Sequence, residues 1–373
     1  MKKIFALLAM TAAFVACTND DRYTWNDDFA DRTATDTINV RIGWYKDYVM
    51  VDGDDNYGFV TTDGTDVTVK SNTNKFLSLH LYGECADGSL TIYSWKKLGL
   101  KLESLILTNP DGPAINNQCG KALYVTLDSN DNSLSDGAAY AERDIDQKAT
   151  LFSEGQIYLQ GSGSLTVYGN YRNGIASDDY IVMRGGHVKI DMASNASNGI
   201  KVNDGFTMQG GELNVKVQGD GARGIKSDAR TTIEGGLVSI ATSGDCRIET
   251  VDGVRDTTSA AGIKSDSLFT MTAGTLVITS TGDGGKGINC SENVEFKGGT
   301  LNITTTGSND EGKPKGVKSD TAIIVSGGSF TVDVNKSWAC DNGSDSEEPE
   351  DRITIVGTPV TKKLEKKSVV VQF

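Results

Sequence analysis

Between residues 174 and 340 the apolar positions follow two superposed patterns. In short runs such as Val188-Lys189-Ile190, Leu213-Asn214-Val215 and Leu301-Asn302-Ile303, apolar and polar residues alternate. Period-two alternation predicts strands with one buried face. On a longer scale one phrase opens six times: Gly174-Ile175-Ala176-Ser177-Asp178, Gly199-Ile200-Lys201-Val202-Asn203, Gly224-Ile225-Lys226-Ser227-Asp228, Gly262-Ile263-Lys264-Ser265-Asp266, Gly287-Ile288-Asn289-Cys290-Ser291 and Gly316-Val317-Lys318-Ser319-Asp320. The openings are 25, 25, 38, 25 and 29 residues apart. A fixed period broken by clean insertions marks a solenoid, whose repeats bury their faces against their neighbours.

The register within a repeat defines the solenoid. Seven and nine residues after the opening glycine stand pairs such as Ile181/Met183, Phe206/Met208, Phe269/Met271 and Ile323/Val325. A small pair follows, Gly185-Gly186 in one repeat and Ala273-Gly274 in another, and then the alternating strand. Glycines allow the tight bends. Three short strands per coil, without helical periodicity, predict an all-β fold. It is a single-stranded, right-handed parallel β-helix of about nine to eleven coils with capped ends.

The same texture extends outward. Residues 37 to about 75 are expected to form the N-terminal cap or the first irregular coils, because an open solenoid end exposes unpaired strand edges. Irregular coils follow, with a polar insertion at 128–148. Closing strands at 353–356 and 368–373 are expected to seal the far end, and the acidic stretch 341–351 to be a solvated loop. With five prolines in all and no Pro- or Ser-rich linker, residues 37–373 form one domain, with regular coils at 174–340. Met1-Lys2-Lys3 and the apolar run to Val15 form a secretory signal, too short for a stable span. Its end, Phe14-Val15-Ala16-Cys17, resembles a bacterial lipoprotein cleavage box. Residues 1–16 would then be removed, Cys17 lipidated, and 17–36 left as a tether. Asp20 and Asp21 resemble the acidic tag that directs some lipoproteins to the outer face of the outer membrane.

Charge narrows the partners. The chain carries −14, and loss of Lys2 and Lys3 with the signal moves this to −16. Such an acidic surface argues against nucleic acid or anionic lipid as partners, leaves the lipid anchor as the only membrane contact, and favours divalent cations. Beyond Cys17 there are five cysteines, Cys85, Cys119, Cys246, Cys290 and Cys340, so at least one stays unpaired. Cys290 stands where Val202, Ser227 and Ser265 stand and is expected to be buried. His80 and His187 are too far apart in sequence to suggest a zinc site.

Candidate chemistry lies in the opening strand. If its isoleucine points inward, its neighbours point outward and stack about 4.8 Å apart from coil to coil. One column is Ala176, Lys201, Lys226, Lys264, Asn289 and Lys318; the next is Asp178, Asn203, Asp228, Asp266, Ser291 and Asp320, with Asp179 and Asp204 beyond. Stacked ammoniums repel by roughly 3 kcal/mol at an effective dielectric near 20, and the aspartates can offset this, which is a structural account. A binding account gives Lys201, Lys226, Lys264 and Lys318 to an acidic glycan. It assigns Asp178, Asp179, Asp204, Asp228 and Asp266 to calcium, which takes several hard oxygens. The insertions at 244–261 and 306–315 are expected to wall this flank, and Tyr168, Tyr171, Tyr180 and Trp338 are aromatic residues able to stack on sugars. A lysine among aspartates is poorly suited to act as a base, which must be partly neutral.

The segments SLILTNPDGPAI, GSGSLTVYGNYRNGIASDDYIVMRGG and the recurring GIKSD…GG resemble the bacterial carbohydrate-binding-domain β-helix family across roughly residues 37–373. That resemblance implies a pectate-lyase-like fold, bound calcium, and plant cell-wall glycans such as cellulose or polygalacturonate as ligands. The leading expectation is a surface-anchored, polysaccharide-binding lipoprotein of the cell envelope. A weak calcium-dependent polysaccharide lyase and a structural or adhesive solenoid stay open beside it.

Overall fold

The repeated opening phrase becomes the first side of every coil. In the computed structural model, which describes residues 36–373 apart from 309 and 311, the opening strands form a twelve-stranded sheet. Asn173–Ser177, Ile200–Val202, Arg223–Ser227, Ala261–Ser265, Lys286–Cys290, Lys315–Ser319 and Trp338–Asp341 stack there in parallel. Only the first strand of that sheet, Val60–Asp63, is antiparallel to its neighbour, so about eleven turns follow in parallel. The signal segment, Cys17 and the tether up to residue 35 lie outside the described residues.

The second and third sides, such as Gly205–Met208 and Glu212–Val217, stack in register in the same way. They count as one 23-stranded sheet because the early coils run through the corner without a break. Leu98–Asn109, for example, pairs with Leu123–Leu127 through its first half and with Asn132–Asp136 through its second. One left-handed residue, Ser104 with φ 61°, turns this corner where later coils use a glycine pair. In those later coils only the second glycine is left-handed, with φ 81° at Gly186 and 82° at Gly274. Ala273 can therefore stand in the first position but not in the second.

The opening glycine answers a different need. A Cβ on Gly224 would lie 2.4 Å from Ile240 Cγ2 and 2.7 Å from the Gly262 carbonyl of the next coil. The inward residues beside it, Ile175, Ile200, Ile225, Ile263, Ile288 and Val317, are fully buried. Each contributes about 1.5–3 kcal/mol through removal of apolar surface from water. The next inward slot holds Ser177, Ser227, Ser265 and Ser319, whose hydroxyls donate to turn carbonyls at 2.7–3.0 Å. Cys290 fills that slot as expected, fully buried, and all five described cysteines are buried thiols.

Both ends are closed by antiparallel hairpins, which cover strand edges that would otherwise pair with another chain. Thr37–Tyr45 and Tyr48–Asp52 form one at the N-terminal end. At the other, Thr361–Glu365 pairs with Ser368–Gln372, which lies antiparallel along Ser329–Val334. Among the described residues there is no α-helix.

Two expectations are corrected. Ala176 keeps the register of the lysine column but is not solvent-facing: Phe152 and Ala149 of the preceding coil cover it in a small cluster outside the main core. Nor is the whole stretch 341–351 a solvated loop. Asp341 ends the last opening strand and is buried between Lys315 and Arg352, whose NH1 donates to Asp341 Oδ1 at 2.6 Å.

Candidate functional site

The opening strands are flat, parallel and in register, so their outward side chains form columns along the solenoid. Lys201, Lys226 and Lys264 are aligned on successive rungs, followed by Asn289 and Lys318. Their ammoniums do not stand free. Lys201 reaches Asp228; Lys226 reaches both Asp228, at 2.8 Å, and Asp266; Lys264 contacts Asp266 at 2.8 Å and Ser291 Oγ at 2.8 Å. Lys318 pairs with Asp320 of its own coil. Each of Asp228 and Asp266 thus bridges the lysine of its own rung and that of the rung before. Burial works to raise both carboxyls, but hydrogen bonds from the paired lysines outweigh it and hold them below the usual carboxylate range. The repulsion within the column is thereby offset. Within these two columns three ammoniums, of Lys201, Lys226 and Lys264, face two carboxylates, of Asp228 and Asp266.

The aspartates toward the N-terminal side are arranged differently. Asp178 does not join Asp204 and Asp228. It joins Asp146 and Glu154, each of the three offering a carboxylate oxygen within 4.8 Å of the others. Lys148 sits between Asp146, at 2.6 Å, and Asp178, at 2.5 Å. Burial and the negative charge of Asp178 push the Glu154 carboxyl up, the effect of crowding like charges. Asp179 accepts from the Gln156 amide, and Asp204 is exposed on the following turn. The oxygens of Asp146, Glu154 and Asp178 are hard donors of the kind calcium takes, and the Lys148 ammonium lies between two of the three carboxylates.

The sequence reading missed Asp146 and Glu154. Glu154 stands one rung before Asp178, since Ser153 pairs with Ser177, so extending the column backward would have found it. The stretch 128–148, expected as a polar insertion, contains the strand Asn132–Asp136 of the regular coil; only 137–148 lies outside it, and that polar run hid both the rung and Asp146.

Two lysines at the start of the opening strands differ from the ladder. Lys286 is buried, which pushes it down to about 8, and its ammonium donates to Ser259 Oγ. Lys315 is buried against Asp341. The insertion 244–261 begins beside them and projects as an antiparallel ribbon, Arg247–Val251 with Val254–Thr258. Asp245 of that insertion is engaged in the fold: its carboxylate accepts the Asp283 N–H of the next coil at 2.7 Å.

The aromatic residues are divided. Trp338 is buried in the C-terminal cap under Arg352, 3.8 Å from its ring centre. Tyr180 is half-buried and meets Tyr158 edge-on, while Tyr158 stacks on Tyr124 at 4.9 Å. Tyr168 and Tyr171 are exposed. A separate open cleft at the N-terminal end of the opening sheet is lined by Tyr57, Tyr93 and Trp95.

A solved polysaccharide lyase-like protein from C. thermocellum, determined as a gadolinium derivative, superposes with a TM-score of 0.57. It covers 69% of this chain and 97% of its own at 22% identity, a likeness in fold. A carbohydrate-binding domain-containing protein of Acetivibrio thermocellus is 25% identical over 164 residues, 42% of this chain. The chain spans about half, 54%, of that relative's length. The description "Carbohydrate-binding domain-containing protein" matches residues 63–259, 221–308 and 268–357. With most of its coils so matched, this parallel β-helix belongs to the carbohydrate-binding domain-containing protein family.

Proposed function

We propose that the chain is a surface-anchored lipoprotein that holds a polysaccharide along the outward face of its opening-strand sheet, without cleaving it. The observation that carries this is the register of that face: lysines stand on three successive rungs, at Lys201, Lys226 and Lys264, and again at Lys318 beyond the Asn289 rung, with rungs about 4.8 Å apart, close to the length of one sugar in an extended glycan. A polymer lying along the solenoid can therefore make the same contact many times, and weak contacts sum to useful avidity. The strip from Lys201 to Lys264 favours an acidic plant cell-wall glycan such as polygalacturonate, with cellulose as a neutral alternative. Calcium at Asp146, Glu154 and Asp178 would add a cation at the N-terminal end of the same strip and neutralise a uronate there.

The ladder lysines are poor candidates for a base. Each is already engaged with an aspartate, Lys201 and Lys226 with Asp228, Lys264 with Asp266 and Lys318 with Asp320, and four repeated lysines form a ladder instead of one singled-out base. Binding is thus the reading the geometry favours over a lyase.

Affinity electrophoresis through polygalacturonate tests the proposal. The wild-type chain should be retarded, less so with chelator and less so at physiological salt, where exposed charges are screened over about 8 Å. Lys201→Ala with Lys226→Ala should weaken retardation by about fivefold at low salt while the far-ultraviolet spectrum stays that of the wild type, as expected for exposed contacts of about 1 kcal/mol. Unchanged retardation in the double variant would return the ladder to a purely structural role. Release of unsaturated uronides would replace the binding reading with a lyase.

A further inference from the structure

The cleft at the N-terminal end of the opening sheet has about 480 Å³ of space, within the range of roughly 300–1,000 Å³ for small-molecule sites. Its position follows from register. Lys70 pairs with Tyr93, and Ile92 pairs with Asn117, which brings Tyr93 beside Gln118. The same column then runs through Glu154 and Asp178 to the charged ladder, because Asn117, Ser153 and Ser177 stack in turn. Cleft and ladder lie on one continuous face.

The rings around the cleft are both exposed and held. Trp95 is 59% exposed and Tyr57 46% exposed. The Trp95 indole N–H donates to the Thr73 carbonyl at 3.1 Å, which fixes the plane of the ring. Tyr57 stacks on Phe59 at 5.2 Å and 15°. It stands on a turn built around Asp54, whose buried carboxylate accepts the N–H groups of Phe59 and Val60 at 2.9 Å each. The Asp54 carbonyl accepts Tyr57 N–H at 2.8 Å. Lys70 Nζ lies 5.7 Å from the Tyr93 ring centre. Aromatic planes fixed in water lose little entropy when a ligand covers them.

The lining chemistry selects the ligand. It combines aromatic faces with the amides of Asn72 and Gln118, and it carries one cation, Lys70, and no carboxylate. A pyranose ring has an apolar face of C–H groups and a rim of hydroxyls. The C–H face suits the negative π-face of an aromatic ring, and the rim suits amides, which both donate and accept. Lys70 lies over the Tyr93 ring, so what the cleft offers a ligand is chiefly aromatic and amide surface, which an uncharged ring meets without a counter-charge. We propose that the cleft of Tyr57, Tyr93 and Trp95 is a stacking subsite for uncharged pyranose rings, at one end of the glycan-binding face. This deepens the carbohydrate-binding reading above and rests on it.

Calorimetry on the full chain, with cello-, xylo- and mannohexaose as neutral probes and polygalacturonate retardation in parallel, tests the subsite. The wild type should bind at least one neutral hexasaccharide. Trp95→Ala and Tyr57→Ala should each weaken that binding by about tenfold, leave polygalacturonate retardation unchanged and leave the melting temperature near that of the wild type. Trp95→Phe, which keeps a stacking face, should recover part of the loss. Equal hexasaccharide affinity in wild type and Trp95→Ala would overturn the subsite and leave the glycan reading intact, as would a wild type that is retarded by polygalacturonate yet binds none of the three probes. A wild type that binds neither class of glycan would overturn both.

Discussion

At the scale of single residues, the lysines of the opening sheet are separated by their surroundings. Lys201, Lys226 and Lys264 each have an aspartate and partial access to water. Lys286 is buried with a hydroxyl, Ser259 Oγ, as its hydrogen-bond acceptor. Burial disfavours the charged form and lowers its pKa to about 8. Its unfolded counterpart keeps an ordinary value near 10.5. Between those values the unfolded chain binds more protons, so this group's penalty is full below about pH 8 and is relieved as pH rises toward 10.5. Lys286→Met should therefore be more stable than the wild type at pH 7, by about 3 kcal/mol, and the gain should shrink toward pH 10.5. Denaturant melts of both chains at several pH values measure it; a gain that does not change with pH would place its origin in packing.

At the scale of elements, four successive turns between coils are tied in series by the same kind of bond. Asp220 accepts the Asp245 N–H at 3.0 Å, Asp245 accepts that of Asp283 at 2.7 Å, and Asp283 accepts that of Ser308 at 2.8 Å. These carboxylates satisfy backbone donors that a corner would otherwise leave to water. The last rung is secured differently. Asp341 is buried between Lys315 and Arg352, and the Arg352 guanidinium also lies on Trp338 and donates to the Ser346 carbonyl at 2.7 Å. Removing the carboxylate would leave two buried cations without their counter-charge, which costs about 3–5 kcal/mol. Asp341→Ala should lose that much in chemical denaturation, with faster hydrogen exchange concentrated in the last two rungs and the closing hairpin, since solenoid repeats depend on their nearest neighbours. A loss under about 1 kcal/mol would show that the cluster does not hold the cap.

At the scale of the whole molecule, net charge bears on how this acidic chain can be held at a surface. With −14 overall, the chain is repelled by anionic surfaces, so attachment by charge alone is unfavourable, and in the proposed function a lipid on Cys17 would supply the attachment. Cys17→Ser should abolish labelling by fatty acid and release the chain from carbonate-washed membranes. Continued membrane partition of that variant would remove the lipoprotein reading while leaving the glycan-binding face untouched.

The fold was legible in the chain because a parallel β-helix is a local, repeating solution. Inward isoleucine, corner glycine and alternating strand recur at a spacing set by one coil, and each contact joins a residue to its equivalent one rung away. Gly224-Ile225-Lys226-Ser227-Asp228 therefore announces both its strand and its stacking partners at 199–203 and 262–266. The lysine and aspartate columns were legible for the same reason. What the repeat does not encode is where irregular residues come to rest. Asp178 joins Asp146 and Glu154 because the turn 137–148 carries Asp146 to the preceding rung, where the Asn116 and Gln118 amides donate to its carbonyl, and no periodicity reports the path of such a turn. Trp338, an exposed-looking aromatic in sequence, is covered by Arg352 from a later turn. Tyr57 comes from a turn and meets Tyr93 and Trp95 at the end of the strand Ser89–Ser94. Periodic contacts are specified by neighbours in register, whereas these sites are built by long-range packing, which has no period to read.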